Sequence, residues 1–417
     1  MSRSVVQGGW AVLRLRKFRL ALMSRFLLTI AFQMLGVAVG WQVYAITGDP
    51  LDLGWVGLVQ FVPILLLGLL GGHVADNFNR IHVLTACLGL VLVCCVALSV
   101  LAMSEVAAVW PILMVLAMLS VARAFYAPTA QALLSNIVSQ EQLPNAVGWW
   151  TTVWQIATVA GPAAGGLVLI AGSDWVYACA ALLTGLSISL MVQIRIGTRP
   201  RRREPVSWAA LTGGLRYVWS NKVILGAISL DLVAVLLGGV TALLPIFATD
   251  ILGVGPVGYG WLRSAPAVGA VCTGLVLAQF PIRRKIGRTM IGAVAVYGVA
   301  TLVFGLSELY VLSLAMLAVA GAADMVSVFV RHNLIQLATP DEMRGQVAAV
   351  SSVFIVGSNE LGEFESGALA ALIGVVPCVI VGAVGTLVVT GASWVLFPEL
   401  RRTDRPRDAF RAALPSD

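Results

Sequence analysis

The chain is short of the residues that most protein chemistry uses. It has only 3 histidines, His73, His82 and His332, all beside charged connections and none in the middle of an apolar run. No imidazole is therefore placed to relay a proton at mid-membrane, and the cluster of His, Asp or Glu that a membrane-embedded, lipid-modifying enzyme would gather near one face is missing. Cys87, Cys94, Cys95, Cys179, Cys272 and Cys378 lie in apolar spans without metal-ligand spacing, which reads as small buried hydrophobes. No glycine-rich phosphate loop occurs, so an ion gradient has to supply the energy for any vectorial work. The sequence calls for no cofactor, no metal and no enzymatic activity. Charge is scarce as well, at 11% of residues.

What takes the place of charge is apolar length. Hydrophobic residues make up 59% of the 417-residue chain, and the mean hydropathy is +0.93. Uncharged runs of about 20 residues, the length that crosses a hydrocarbon core of about 30 Å, recur along the sequence. Twelve are read at 21–46, 51–73, 82–103, 107–127, 146–171, 175–195, 223–249, 256–281, 289–306, 309–331, 346–373 and 376–397. Alternate connections lack Lys and Arg but carry Asp49, Glu105, Asp174, Asp250 and Glu308, whereas the others and both tails are basic. By the positive-inside rule both termini are cytoplasmic, and the net charge of +7 reports topology. The Arg201–Arg203 cluster is therefore no nucleic-acid site. The fold class expected is an all-α, multi-pass membrane protein.

The chain repeats itself. At an offset of 201, Arg123 meets Asp324, Glu141 meets Glu342, Gly161 meets Gly362 and Gly166 meets Gly367; Gly57 and Pro63 meet Gly260 and Pro266 at an offset of 203. Two parallel six-helix halves follow. The boundaries are 1–195 for the first half, 196–221 for a cytoplasmic linker, 222–397 for the second half and 398–417 for a tail. Trp208, Leu211, Leu215 and Trp219 give the linker an amphipathic helix for the inner membrane surface.

Gly148, Ala157, Gly161, Pro162, Gly165 and Gly166 crowd the fifth run. Ala157, Gly161 and Gly165 form one small-residue stripe that lets a neighbouring helix approach at backbone distance, while Gly148 lies roughly opposite. The spacing resembles the antiporter motif of drug:proton exporters in the major facilitator superfamily, with Ala157 where that motif has Gly. The loop from Gly71 to Arg80 is similar to the superfamily's motif between helices two and three, matching at Gly72, Asp76 and Arg80, with Asn77 in place of a basic residue and Asn79 in place of Gly. Its second-half counterpart keeps Gly287 and Arg288 but has Arg284 at the acidic position. Arg123 resembles the fourth-helix Arg that the superfamily links to proton coupling. Leu230-Asp231, Ala242-Leu243-Leu244-Pro245, Thr339-Pro340 and the string Ser358-Asn359-Glu360 through Gly367 resemble the siderophore-exporter (enterobactin-exporter) branch, which is related to macrolide-efflux proteins. The resemblance implies a bacterial inner-membrane location, an outward-moving substrate exchanged for protons, and alternating access.

Charges inside spans cost about 2.5–3.5 kcal/mol each on insertion scales, so each needs a reason. Asp231, about 13 Å along the seventh run from Lys222, could take up and release a proton, or could be locked into a helix contact. Arg123 and Asp324 lie at equal depth, each about 22 Å from the outer ends of their helices, and could pair as an inner gate or snorkel separately. Arg263, about 10 Å from the outer surface, lies near the depth of Glu360, which has Glu363 within one turn; a structural ion pair between their helices is the preferred reading, and direct substrate or proton contact is the alternative. Arg25 reads as a residue snorkelling to headgroups. Gln33 and Trp154, with Tyr126 and Gln60, are the cavity candidates, while Trp41, Tyr44, Trp149 and Trp150 could belong to the interfacial belt. The expected partners are protons, a bulky amphipathic small molecule and the bilayer, with no nucleic acid and a monomeric chain. Proton-coupled uptake is the alternative transport reading.

Overall fold

The computed structural model describes residues 10–104, 108–195, 208–340 and 343–404. Glu105, the Arg201–Arg203 cluster, Glu342 and the side chain of Asp76 lie outside the described residues. Every regular element among the described residues is helical. That is what an apolar solvent requires, because a helix satisfies its own backbone hydrogen bonds. In chain order the helices are α1 (Arg16–Thr47), α2 (Pro50–Asn77), α3 (Arg80–Met103), α4 (Trp110–Ile137), α5 (Leu143–Val168), α6 (Ser173–Val192), α7 (Trp208–Ser220), α8 (Lys222–Leu237), α9 (Gly255–Gln279), α10 (Ile286–Leu306), α11 (Tyr310–Ala338), α12 (Arg344–Ile373), α13 (Val375–Leu396) and α14 (Pro398–Arg402). A chain of 3-10, α and π turns over 240–251 extends α8. Among the described residues, 11 segments are long and apolar enough to cross a membrane. The 30-residue α12, which carries Glu360, Glu363 and Glu365, is not among them.

Packing divides the chain into two units that do not follow chain order. The first comprises Met1–Val39 and Val62–Pro205; the second comprises Gly40–Phe61 and Val206–Asp417. In the first unit α3 packs on α4 and α6, and α5 packs on α4 and α6. Ser24 and Ser187 exchange hydrogen bonds between α1 and α6, with their hydroxyls 2.7 Å apart. In the second unit α11 packs on α9 and α10, α10 packs on α13, and α12 packs on α8. The α7 helix docks on α8 and α12, with Val218 buried and Trp219 exposed. Beyond α13, Lys222 meets Glu399 at 3.6 Å, and Asp404 accepts a bond of 3.0 Å from the Lys285 backbone.

Local chemistry sets the helix ends. Asn79, at the position where Gly was expected, caps α3 by accepting from the Ile81 amide at 3.0 Å. Asn221 caps α8 in the same way, accepting from Val223 and Ile224. The turns before α6 and α13 are made by Gly172 and Gly374, whose φ values of 125° and 92° favour glycine. These two glycines sit at matching places in the two halves of the repeat.

The repeat also shows in the seams. A side chain at Gly161 of α5 would place its Cβ 2.5 Å from Gln33 Cβ, and one at Gly165 would lie 3.1 Å from Met34 Cα, so α5 meets α1 almost backbone to backbone. At the repeat-equivalent Gly362 of α12, a Cβ would lie 2.9 Å from the Leu236 carbonyl oxygen of α8. Ala157, Gly161, Pro162, Gly165 and Gly166 are all buried, whereas Gly148 has open space where a Cβ would go. Gly161→Val should therefore cost about 1–3 kcal/mol by overpacking, while Gly148→Ala should stay within about 0.5 kcal/mol. Thermal unfolding of the purified variants checks this, and equal losses at both positions would contradict the seam.

Candidate functional site

The second unit holds a charged cluster deep among apolar side chains. Asp231 of α8 is 5% exposed and forms an ion pair with the equally buried Arg331 of α11. The other carboxylate oxygen accepts a 3.1 Å hydrogen bond from Ser327. Asp231, Ser327, Asp324 and Tyr297 line one cavity of about 10 Å³ together with Val235 and Val294, room for a single water molecule. Tyr297 donates to the Gly238 carbonyl at 3.0 Å, tying α10 to the end of α8. Arg331 is paired with Asp231, and Asp324 is a second acid on the wall of the same cavity. If both acids are ionised the cluster carries a net negative charge, and binding one proton makes it neutral.

Asp231 and Asp324 are both sequence candidates, and the structure brings them to the same cavity. Asp231 is not isolated, because Arg331 and Ser327 complete its surroundings. The sequence reading missed these two, and Tyr297 with them. The signal was available: Asp324, Ser327 and Arg331 fall at i, i+3 and i+7 on one face of α11. Arg123 and Asp324 belong to different units.

A second polar group in the same unit surrounds Arg263 of α9. Its guanidinium donates to the Tyr259 hydroxyl at 3.3 Å and lies within electrostatic reach of Glu363 and Glu360 on α12. The Gly40–Phe61 stretch packs over this group. Gly57 sits where a Cβ would be 2.8 Å from the Glu360 carbonyl oxygen, and Gly54 where one would be 3.0 Å from that of Phe364. Trp41 stacks on Tyr259 at 5.9 Å, and Trp55 meets Phe364 at 5.3 Å. Tyr44 donates a hydrogen bond to Asp250 in the π turn. Trp41 and Tyr44 are therefore packing partners of the second unit. Gln60 donates to the Val56 carbonyl in its own helix at 3.1 Å.

In the first unit, the expected headgroup residue Arg25 has an aromatic partner within the protein. Its guanidinium lies 4.5 Å from the centre of the Trp150 ring, and Trp150 is itself buried. Arg123 lies over Phe32 at 5.8 Å. Gln33 packs on Gly161, Tyr126 has its hydroxyl buried, and Trp154 is 43% exposed. In the loop motif, Arg80 clamps two helix ends, donating to the carbonyls of Ala75 at 3.1 Å and Ala132 at 2.8 Å. The glycine in tight contact is Gly71, pressed against the Ala124 carbonyl, while Gly72 has open space around it.

The sequence matches the profile of transmembrane secretion effectors over residues 7–414. The chain belongs to that family, within the major facilitator superfamily. It is 25% identical over 403 residues to the enterobactin exporter EntS of Citrobacter koseri, covering 93% of this chain and 94% of that one. The enterobactin exporter EntS of Shigella boydii is 24% identical over 399 residues, with 92% of each chain covered. Among solved structures, a bacterial homologue of the human lysosomal transporter Spinster, inward-facing and unoccupied, aligns with a TM-score of 0.72 at 15% identity, over 94% of this chain and 98% of that one. A POT family transporter in complex with 5-aminolevulinic acid aligns with a TM-score of 0.73 at 11% identity, over 92% and 96%. At these identities the structural likeness establishes the fold alone.

A transporter of this family keeps its buried charges at a cost in stability, and the Asp231–Arg331 pair sets a measurable one. Either Asp231→Asn or Arg331→Gln alone strands the partner's charge and should destabilise by about 3–5 kcal/mol. The two together should recover most of that loss. Thermal unfolding of the purified proteins reads the cycle, and simply additive losses would mean that the two residues do not act as a pair.

Proposed function

We propose that the chain is a proton-driven exporter of the bacterial inner membrane, exchanging inward-moving protons for an outward-moving, bulky amphipathic molecule by alternating access. A siderophore is the first substrate class and a macrolide-like drug the second. The single observation that carries the coupling is the Asp231–Arg331–Asp324 cluster beside a cavity for one water. A proton arriving there cancels a net charge held in a low-dielectric interior, so its binding and loss can bias how α8 and α11 pack. Export is supported by the function named for the relatives and by the α5 seam, which has the spacing of the antiporter motif.

The accompanying topology has twelve spans, with α12 counted as the eleventh in chain order despite its three glutamates, both termini cytoplasmic, and α7 on the inner membrane surface. The working unit is a monomer. Outward release requires the Gly40–Phe61 stretch to loosen its hold on α9 and α12, where Tyr44–Asp250 and the Arg263 group fasten it. Arg123 acts from the first unit as a second coupling residue.

The test uses inverted membrane vesicles with a respiration-driven, acid-inside pH gradient and a pH-quenched fluorophore. Adding the transported member of a panel of siderophores, macrolides and dyes should cause dequenching that depends on this protein. The charge-balanced double variant, Asp231→Asn with Arg331→Gln, should retain its fold and lose the dequenching. Full dequenching in that variant would remove the cluster from the mechanism. Quenching that deepens on substrate addition would replace export with symport.

A further inference from the structure

The first unit contains a partly buried cationic site that no carboxylate among the described side chains answers. Arg25 stands nine residues into α1, about 14 Å from its start. Its Nε is buried and makes no hydrogen bond. The Tyr126 hydroxyl of α4 is buried without a partner too, and Tyr126 is the group that bears on Arg25 electrostatically. Both offer donors: the guanidinium has N–H groups and no acceptor, and the phenol presents an O–H. Buried donors left unanswered destabilise a fold, so a unit that keeps two of them without partners is suited to an acceptor supplied from outside. Among the described side chains of this unit the carboxylates are Glu141, ahead of α5, and Asp174, in the first turn of α6. Neither is among the groups that act on Arg25.

The surroundings are aromatic. Trp150 lies beneath the Arg25 guanidinium, and Trp154, one turn further along the same side of α5, is 43% exposed. Phe32, two turns beyond Arg25 on α1, lies beneath the guanidinium of Arg123, which is three residues from Tyr126 on α4. Two rungs of cation over aromatic ring thus tie α1 to its neighbours, Arg25–Trp150 to α5 and Phe32–Arg123 to α4. Fixed guanidinium forks match planar oxyanions, and ring faces match ring faces.

We infer that the first unit holds a recognition site for an aromatic organic acid, in which Arg25 and Tyr126 take the oxyanion and the tryptophans of α5 take the ring. This deepens the export reading and rests on it for its physiological sense, but its test needs no transport. Full-length protein in lipid nanodiscs is titrated with salicylate and with the neutral salicylamide, followed by calorimetry and tryptophan fluorescence. Salicylate should bind saturably and at least about tenfold more tightly than the amide. Arg25→Gln, and separately the near-isosteric Tyr126→Phe, should each weaken salicylate about tenfold while leaving salicylamide unchanged. Should Arg25→Gln fail to fold, Tyr126→Phe decides. Equal binding of acid and amide, no saturable salicylate binding up to about 10 mM, an affinity on the scale of a few kcal/mol, or salicylate binding unchanged in the folded variants would overturn the site. If salicylate discrimination persists while vesicles show no proton flux, the site stands and the transport reading falls. Flux without discrimination has the opposite meaning.

Discussion

The Asp231–Arg331 pair is the interaction on which the proposed coupling rests. In a medium that cannot solvate charge, an acid and a base stay ionised only by holding one another. Asp324 lines the same cavity as Asp231 and adds a second acid there. The cavity lies where α8, α10 and α11 meet, so in the proposed mechanism a change of protonation there acts on three helices at once. Ser327 on Asp231 and Tyr297 on the Gly238 carbonyl hold the cluster's geometry.

Around it the fold is assembled by close backbone approach rather than by bulky packing. Lipid tails are as apolar as leucine, so helices gain from contact chiefly where small residues let backbones meet. Gly161 and Gly165 on α1, Gly362 on α8, and Gly54 and Gly57 on α12 are such places. The first three bind helices within repeats. The last two fasten the Gly40–Phe61 stretch to the second unit, with Trp41–Tyr259 and Tyr44–Asp250 as side-chain fasteners. Smooth seams of this kind can slide or part without leaving large cavities.

Much of this was legible in the sequence because membranes punish ambiguity. Apolar run lengths marked the helices, and single acids inside such runs marked Asp231 and Asp324. The small-residue stripe marked the α5 seam. Arg331 escaped because it ends an apolar run next to His332 and reads as part of the connection; only its seven-residue step from Asp324 betrays its face. Arg25 was read as a headgroup contact because it lies near a helix start, and its burial over Trp150 depends on which helix stands beside it. Motif matching pointed to Gly72, yet the tight contact falls on Gly71, since one residue is a turn of about 100° around the helix. The attachment of Gly40–Phe61 to the second unit rests on long-range contacts with α9 and α12 that no local pattern specifies.

The central claim, that the buried acid pair exchanges a proton, is tested most directly by difference infrared spectroscopy of the purified protein in lipid as pH is stepped. A carboxyl C=O band should appear on acidification and should be lost or displaced in both Asp231→Asn and Asp324→Asn, because the two acids line one cavity. A protonation band left unchanged in both variants would place the exchangeable proton elsewhere and contradict the claim.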